Sequence, residues 1–178
     1  MLIRLFSKIL HTPRTLVSVP SLPHADVHAT GLKIQDKVTR LFNGSLAIRV
    51  VTAGSTNACE QELNALGNAY YDVERFGVHF VASPRHADMI FVTGPVTRNM
   101  ANALKATYDA TPEPKIVVAV GDDAIDGGIF KGSYAVLDGA SSVVPVHYTI
   151  AGDPPTPAFI LSSLLAILED VGSKTQTI

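Results

Sequence analysis

The segment KIVVAVGDD, residues 115–123, carries the pattern that decides the fold class of this chain. Its strand-forming part is apolar on both faces, which is typical of a parallel strand covered by helices on each side. Four similar runs occur elsewhere: LAIRVV (46–51), VHFVA (78–82), MIFVT (89–93) and VVPVHYTI (143–150). We therefore expect a mainly parallel sheet of five strands.

Helical stretches alternate with these runs. The apolar spacing favours helices over Asn57 to Leu66, Thr97 to Tyr108 and Pro157 to Glu169. Alternating strands and helices, joined by short right-handed crossovers, predict an α/β domain with a flavodoxin-like, doubly wound sheet in three α/β/α layers. We place this domain at residues 44–178.

The first 43 residues follow a different pattern. Residues 1–10, MLIRLFSKIL, have apolar side chains at helical spacing and polar ones opposite, which favours an amphipathic helix on a membrane surface or on a protein. Prolines and glycines are frequent after it, so we interpret residues 11–45 as an extended arm with one short helix around Lys33 to Phe42.

The composition excludes several classes of function. A formal net charge of −2 over 178 residues provides no basic surface for nucleic acid, and no nucleic-acid-binding motif is present. No apolar run approaches the roughly 20 residues of a membrane-spanning helix. The single cysteine, Cys59, excludes an intramolecular disulfide, and no Ser-His-Asp or Cys-His spacing indicates a hydrolase. We predict no catalytic residue.

Glycines follow four of the predicted strands almost at once, at Gly54, Gly94, Gly121 and Gly152. In open α/β sheets, ligands bind beyond the carboxyl ends of the strands, where glycine permits tight turns and close backbone approach. Glycine after any single strand is ordinary turn chemistry, but four such loops predict a shared edge. We expect Thr56, Cys59, Asp123 and Asp153 to lie along it.

Three long segments carry a family resemblance: ERFGVHFVASPRHADMIFVTGPVTRNM (74–100), PEPKIVVAVGDDAIDGGIFKGSYAV (112–136) and AGDPPTPAFIL (151–161). They resemble the small iron-sulfur subunit of respiratory complex I, the 20 kDa subunit. They look more like its counterpart in membrane-bound energy-converting nickel-iron hydrogenases of the formate hydrogenlyase and hydrogenase-4 type. The resemblance covers about residues 44–168.

This resemblance implies a place within a larger assembly. The chain is expected to lie peripherally on the cytoplasmic face of the inner (plasma) membrane. Its expected partners are a hydrogenase-like large subunit and a membrane-arm subunit. The parent complex is expected to translocate ions or protons.

The resemblance also implies a cofactor site. In that family four cysteines hold a 4Fe-4S cluster, and their positions correspond to Thr56, Cys59, Asp123 and Asp153. Because such clusters are held mainly by soft thiolates, a single cysteine predicts that the cluster is lost and that no cofactor binds. We expect Asp123 and Asp153 to be partly buried neighbours, at least one with a raised pKa, hydrogen-bonded to each other or to Thr56.

Three alternatives remain open. The chain is also compatible with an electron-transfer subunit of a NADH-quinone oxidoreductase or hydrogenase that uses an unusual cluster. The carboxylates favour a hard or borderline metal ion, with Cys59, Asp123, Asp126 and Asp153 as candidate ligands. The segment VVTAGSTNA (50–58) is compatible with a flavin or phosphate site, although it lacks a full glycine fingerprint.

Further charged residues receive roles from the resemblance. Glu60 and Glu62 match acidic family positions that relay protons, whereas the alternative is simple helix N-terminal electrostatics at a solvated surface. Arg75, Arg85 and Arg98 resemble family arginines near the cluster and the large-subunit surface, which predicts interface roles.

Overall fold

Five parallel strands form one sheet in the computed structural model, which describes residues 26–175. In chain order they are β1 (Leu46–Thr52), β2 (Val78–Phe80), β3 (Met89–Thr93), β4 (Ile116–Val120) and β5 (Tyr148–Ile150). Their spatial order is β2-β1-β3-β4-β5, which is the flavodoxin-like order. The predicted fold class is confirmed.

Helices cover both faces of this sheet. They are α1 (Val27–Phe42), α2 (Ala58–Ala65), α3 (Arg98–Ala110), α4 (Asp122–Asp126) and α5 (Pro157–Thr175). One apolar cluster joins the sheet to α1, α2 and α5, through side chains that include Ile34, Leu63 and Leu161. A second cluster joins the opposite face to α3 and α4, through Leu104 and Ala124. The result is three layers.

The helix α1 is longer than the sequence indicated. It begins at Val27 rather than near Lys33, and Asp26 caps it by accepting a hydrogen bond from the backbone N–H of Ala29 at 3.1 Å. The prediction of an extended chain over residues 27–32 is therefore wrong. The misleading residue is Residues 1–10 and the arm up to residue 25 lie outside the described residues.

The strand β5 is shorter than the predicted run over residues 143–150. It begins only at Tyr148. Pro145 has no backbone N–H to give to a ladder, so the strand cannot include it in a regular way. His147 replaces part of the ladder, since its Nδ1 accepts a hydrogen bond from the backbone N–H of Val117 at 2.9 Å.

Among the described residues, no helix combines the length and the apolar character needed to cross a membrane. The longest helix, α5, contributes Ile160, Leu164 and Leu168 to the core and also contacts α1. Its apolar side chains are thus largely used for packing within the domain.

Gly31 provides a test of the packing between α1 and the segment before β2. A Cβ at this position would lie 2.2 Å from the Phe76 ring, which is itself 1% exposed. We expect Gly31→Ala to lower the free energy of unfolding by about 1–3 kcal/mol, because the core must be overpacked or the helix must shift. Urea unfolding measures this.

Gly172→Ala is the matched control. Gly172 also lies in a helix, but a Cβ there would be 3.8 Å from Leu41, an ordinary contact. Alanine also favours helix, so this variant should be unchanged or up to about 1 kcal/mol more stable. Equal destabilisation of both variants would contradict the proposed role of Gly31.

Candidate functional site

The loops after the strands meet along the carboxyl edge of the sheet, as the glycine pattern predicted. At Gly94, which has φ +72°, a Cβ would lie 2.3 Å from the backbone nitrogen of Ser55, so the loops after β1 and β3 are in direct contact. The loops after β4 and β5 are joined by hydrogen bonds. The N–H of Asp122 donates to the carbonyl of Gly152 at 2.9 Å, and the N–H of Gly152 donates to the Asp122 carboxylate at 2.8 Å.

Cys59 connects the β1 and β4 sides of this edge. It lies in the first turn of α2 and is 5% exposed. A Cβ at Gly121, which has φ +90°, would be only 2.6 Å from the Cys59 sulfur. The thiol is therefore packed directly against the backbone of the β4 loop, and only a glycine permits this approach.

The environment of Cys59 favours the neutral thiol. Burial, followed by the negative charges of Glu60, Asp153, Asp123 and Asp122 in that order, raises its pKa to about 11. Because the thiolate is the form that binds metals and attacks electrophiles, this cysteine is a poor ligand and a poor nucleophile at neutral pH.

Asp123 is the buried carboxylate of the site. It is 7% exposed, and its Oδ1 has no hydrogen-bond partner among the described residues. Burial raises its pKa, with further increases from Asp153 and Asp122, while a hydrogen bond from the backbone of Ile129 lowers it. The prediction that one carboxyl has a raised pKa is confirmed.

The predicted hydrogen-bonded pair of carboxyls does not form. The carboxylate of Asp123 lies against Gly128, where a Cβ would be 2.0 Å from its Oδ1, whereas Asp153 and Thr56 are both exposed. The prediction failed because it assumed that the loops would close on a shared void. The chain instead turns Asp123 towards the backbone that follows α4.

Asp126 is directed to other partners. Its carboxylate accepts from Lys131 Nζ at 3.0 Å and from the backbone N–H of Gly128 at 3.0 Å, and both interactions lower its pKa. Within residues 26–175, no three His, Cys, Asp or Glu side chains are arranged so that they could together hold a metal ion.

The donor atoms at the four positions do not fit a 4Fe-4S cluster. Cys59 provides a single sulfur, and its environment favours the protonated form. Thr56 provides a neutral hydroxyl, and Asp123 and Asp153 provide hard oxygens. Iron-sulfur clusters are held by thiolates, with histidine in place of some of them in Rieske centres, so this set lacks both the softness and the number of ligands required.

Glu60 has specific partners within the protein. Its two carboxylate oxygens accept hydrogen bonds from the Ser55 hydroxyl, at 2.5 Å, and from the buried Thr93 hydroxyl. Surface solvation is therefore the wrong interpretation for Glu60, which joins α2 to the end of β3. Glu62 is partly buried, and its charge contributes to raising the pKa of Tyr71, after burial and Tyr70.

Only one of the three predicted interface arginines lies at this edge. Arg98 begins α3, and its Nε donates to the carbonyl of Tyr134 at 2.7 Å. Arg75 precedes β2, and Arg85 borders a groove formed by residues that precede β1, β3 and β4. The expected position near the cluster loops is therefore wrong for these two, because they lie at the amino ends of the strands.

Sequence reasoning missed three polar residues. Ser55 and Thr93 bind Glu60, and Arg49 lies on β1 with its Nε buried and without a hydrogen-bond partner among the described residues. A charged residue inside the apolar run LAIRVV was a visible signal for Arg49. The partners of Glu60 come from separate elements, so no local pattern indicates them.

The raised pKa of Cys59 predicts a pH dependence. Between pH 9 and 11 the thiol ionises in the unfolded chain, at its ordinary pKa of 9.0, but stays protonated in the fold. The free energy of unfolding should therefore fall as the pH rises, by about 2–3 kcal/mol over this range. Cys59→Ala should lack this component, so urea titrations of both proteins isolate it; parallel curves would contradict it.

Asp123→Asn tests the buried carboxylate. At pH 7 the native protein carries the cost of a buried charge, so the variant should have a higher free energy of unfolding. The gain should shrink towards pH 3, below the ordinary pKa of 3.8, where the carboxyl is protonated in both states. Asp126→Asn should show the opposite sign, because Lys131 favours its charged form; the same sign in both variants would refute this assignment.

Comparison with known proteins places this edge in a family. Residues 57–167 match the family described as NADH ubiquinone oxidoreductase, 20 Kd subunit. An uncharacterized protein of Methanocaldococcus jannaschii is 45% identical over 123 residues, covering 69% of this chain and 82% of the relative. A NADH-quinone oxidoreductase subunit of Bacteroides thetaiotaomicron is 52% identical over 104 residues, or 58% of this chain. That match covers 53% of the Bacteroides protein, about half its length.

Two solved structures share the fold. A chain of the membrane-bound sulfane sulfur reductase, an archaeal respiratory membrane complex, is 34% identical with a TM-score of 0.62, over 70% of this chain and 69% of that chain. A chain of the NiFeSe hydrogenase from Desulfovibrio vulgaris Hildenborough has 16% identity and a TM-score of 0.54, over 72% and 61%. The second likeness shows the fold alone. Since the family match spans more than half of the sequence, this chain belongs to the family of the NADH ubiquinone oxidoreductase 20 kDa subunit.

Proposed function

We propose that this protein is a non-catalytic small subunit of a membrane-bound, complex I-like assembly and that no electron passes through it. The observation that carries this proposal is the state of the one remaining sulfur. Cys59 is buried against Gly121 with a pKa of about 11, beside positions where the family resemblance places thiolates and this chain has oxygens. A redox centre at this edge has no adequate ligands.

The partners follow from the family and from its structural relative. The 34% identical chain belongs to an archaeal respiratory membrane complex, which supports a hetero-oligomer for this chain as well. A hydrogenase-like large subunit and a membrane-arm subunit are the proposed partners, with this chain bridging them peripherally on the cytoplasmic face. The complex moves ions or protons without electron transfer through this subunit.

The carboxyl edge also has the surface of a docking site. Ile129 is 83% exposed and Tyr134 is 90% exposed, and both lie in the segment that follows α4. Arg98 fixes this segment through the Tyr134 carbonyl. Large apolar side chains that are held in place but exposed are typical of protein interfaces, so this edge is where the large subunit is proposed to bind.

Glu60 and Glu62 are the candidates for proton relay in this assembly. Glu60 is bound by two hydroxyl groups at the carboxyl edge, and Glu62 lies two residues further along α2. Hydroxyl groups both donate and accept, so Ser55 and Thr93 extend a hydrogen-bonded path from the Glu60 carboxylate.

The test is a comparison of the intact complex with and without its cysteine. The complex carrying Cys59→Ala should purify without oxygen with the same subunits, the same iron and acid-labile sulfide content, and the same electron paramagnetic resonance spectrum. The reason is that the cysteine holds no cluster. Loss of about four iron atoms per complex, together with one cluster signal, would refute the proposal and favour electron transfer through an unusual cluster.

A further inference from the structure

A cleft of about 400 Å³ lies beside β1, away from the edge formed by the Cys59 and Asp123 loops. Its walls include the apolar side chains of Val50, Leu63, Phe80 and Val81, and its polar side chains include Arg49 and Glu60. This volume is within the usual range of binding sites in proteins. The cleft therefore has the size and mixed lining of a site, and its occupant can be inferred from what its walls present.

The cleft exists because β1 and β2 differ in length. The last pair of the ladder is Ile48 with Phe80, after which the N–H of Val81 donates to the Ile48 carbonyl at 2.9 Å. The remaining residues of β1, up to Thr52, have no strand beside them on this side within the described residues. The outer half of β1 is therefore an exposed strand edge.

The backbone of Val50 faces this cleft. In a parallel ladder, the N–H and C=O of alternate residues point to the same side of the strand. Ile48 directs its carbonyl towards β2, while Ala47 accepts from Asp88 on the β3 side, so Val50 points away from β3. An edge with free backbone groups is a template for another extended chain.

Arg49 adds a charge requirement to this edge. Its Nε is buried and has no acceptor among the described residues. Glu60 borders the same cleft, but its two oxygens already accept from Ser55 and Thr93. A buried charged donor without an acceptor is unfavourable, so an occupant that brings a carboxylate to Arg49 satisfies it.

We propose that an extended segment of a partner subunit adds as a strand beside residues 50–52 and places an Asp or Glu carboxylate on Arg49. The strand ladder supplies affinity through backbone hydrogen bonds, and the apolar walls receive alternate side chains of the segment. The arginine selects the acidic residue, since guanidinium and carboxylate match in geometry and charge. This inference rests on the proposed function, which supplies the partner subunit.

A photo-cross-linking amino acid tests the occupant in the intact complex. p-Benzoylphenylalanine is introduced at Phe80, and in a second variant at the exposed Asn64, which also borders the cleft. After irradiation, mass spectrometry should identify one segment of another subunit, with an Asp or Glu within a few residues of the cross-link. The same amino acid at Ala103, exposed on α3, should not capture that segment.

Arg49→Gln tests the proposed ion pair. The yield of the cross-link should fall at least about tenfold, while Arg49→Lys retains part of it. Arg75→Gln is the matched control, because it removes one exposed arginine charge elsewhere and should leave the yield unchanged.

Several outcomes would overturn the inference. These are cross-links only to residues 1–25 of the same chain, the absence of any polypeptide cross-link from both positions, or an unchanged yield in Arg49→Gln. If the chain purifies with its large subunit and shows one of these results, only this inference fails. If it purifies with no other subunit, the proposed function fails first.

Discussion

The close contact between the Cys59 sulfur and the Gly121 backbone is the constraint on which the rest of the carboxyl edge depends. It brings the start of α2 against the β4 loop, while Asp122 and Gly152 join that loop to the one after β5. These contacts leave the sulfur buried and surrounded by carboxylates. The chemistry of the edge follows from this arrangement, because a desolvated thiol among negative charges retains its proton.

The fold does not depend on the residues that would hold a cluster. Its stability comes from buried strands such as β3, which is covered on both faces, and from the apolar sides of α1, α3 and α5. The glycines of the edge serve the close approach of the loops, whatever side chains lie beside them. An oxygen-bearing residue can therefore replace a thiolate here without loss of the fold, which makes the proposed non-redox role physically reasonable.

The sequence predicted the fold where apolar runs had clear ends. The strand β3 was predicted to the residue, because Asp88 and Gly94 flank an apolar run. The strand β5 was predicted too long, because apolar letters alone do not show that Pro145 interrupts a ladder. The start of α1 was missed because Gly31 resembles a helix breaker in the sequence, whereas its role becomes visible only beside the Phe76 ring.

The site was less predictable than the fold, for a similar reason. The convergence of the loops follows from parallel strands and could be predicted, as could a raised pKa for a carboxyl near Cys59. The orientation of Asp123 towards Gly128, and the two hydroxyls on Glu60, depend on contacts between residues far apart in the chain. Such contacts leave no periodic pattern in the sequence.

Cryo-electron microscopy of the assembled complex, at a resolution that shows side chains, tests the central claim most directly. The map should show the Cys59 side chain against Gly121, with protein density alone among the loops that carry residues 56, 59, 123 and 153. A compact block of strong density of the size of four irons and four sulfides, bonded to Cys59, would contradict the account.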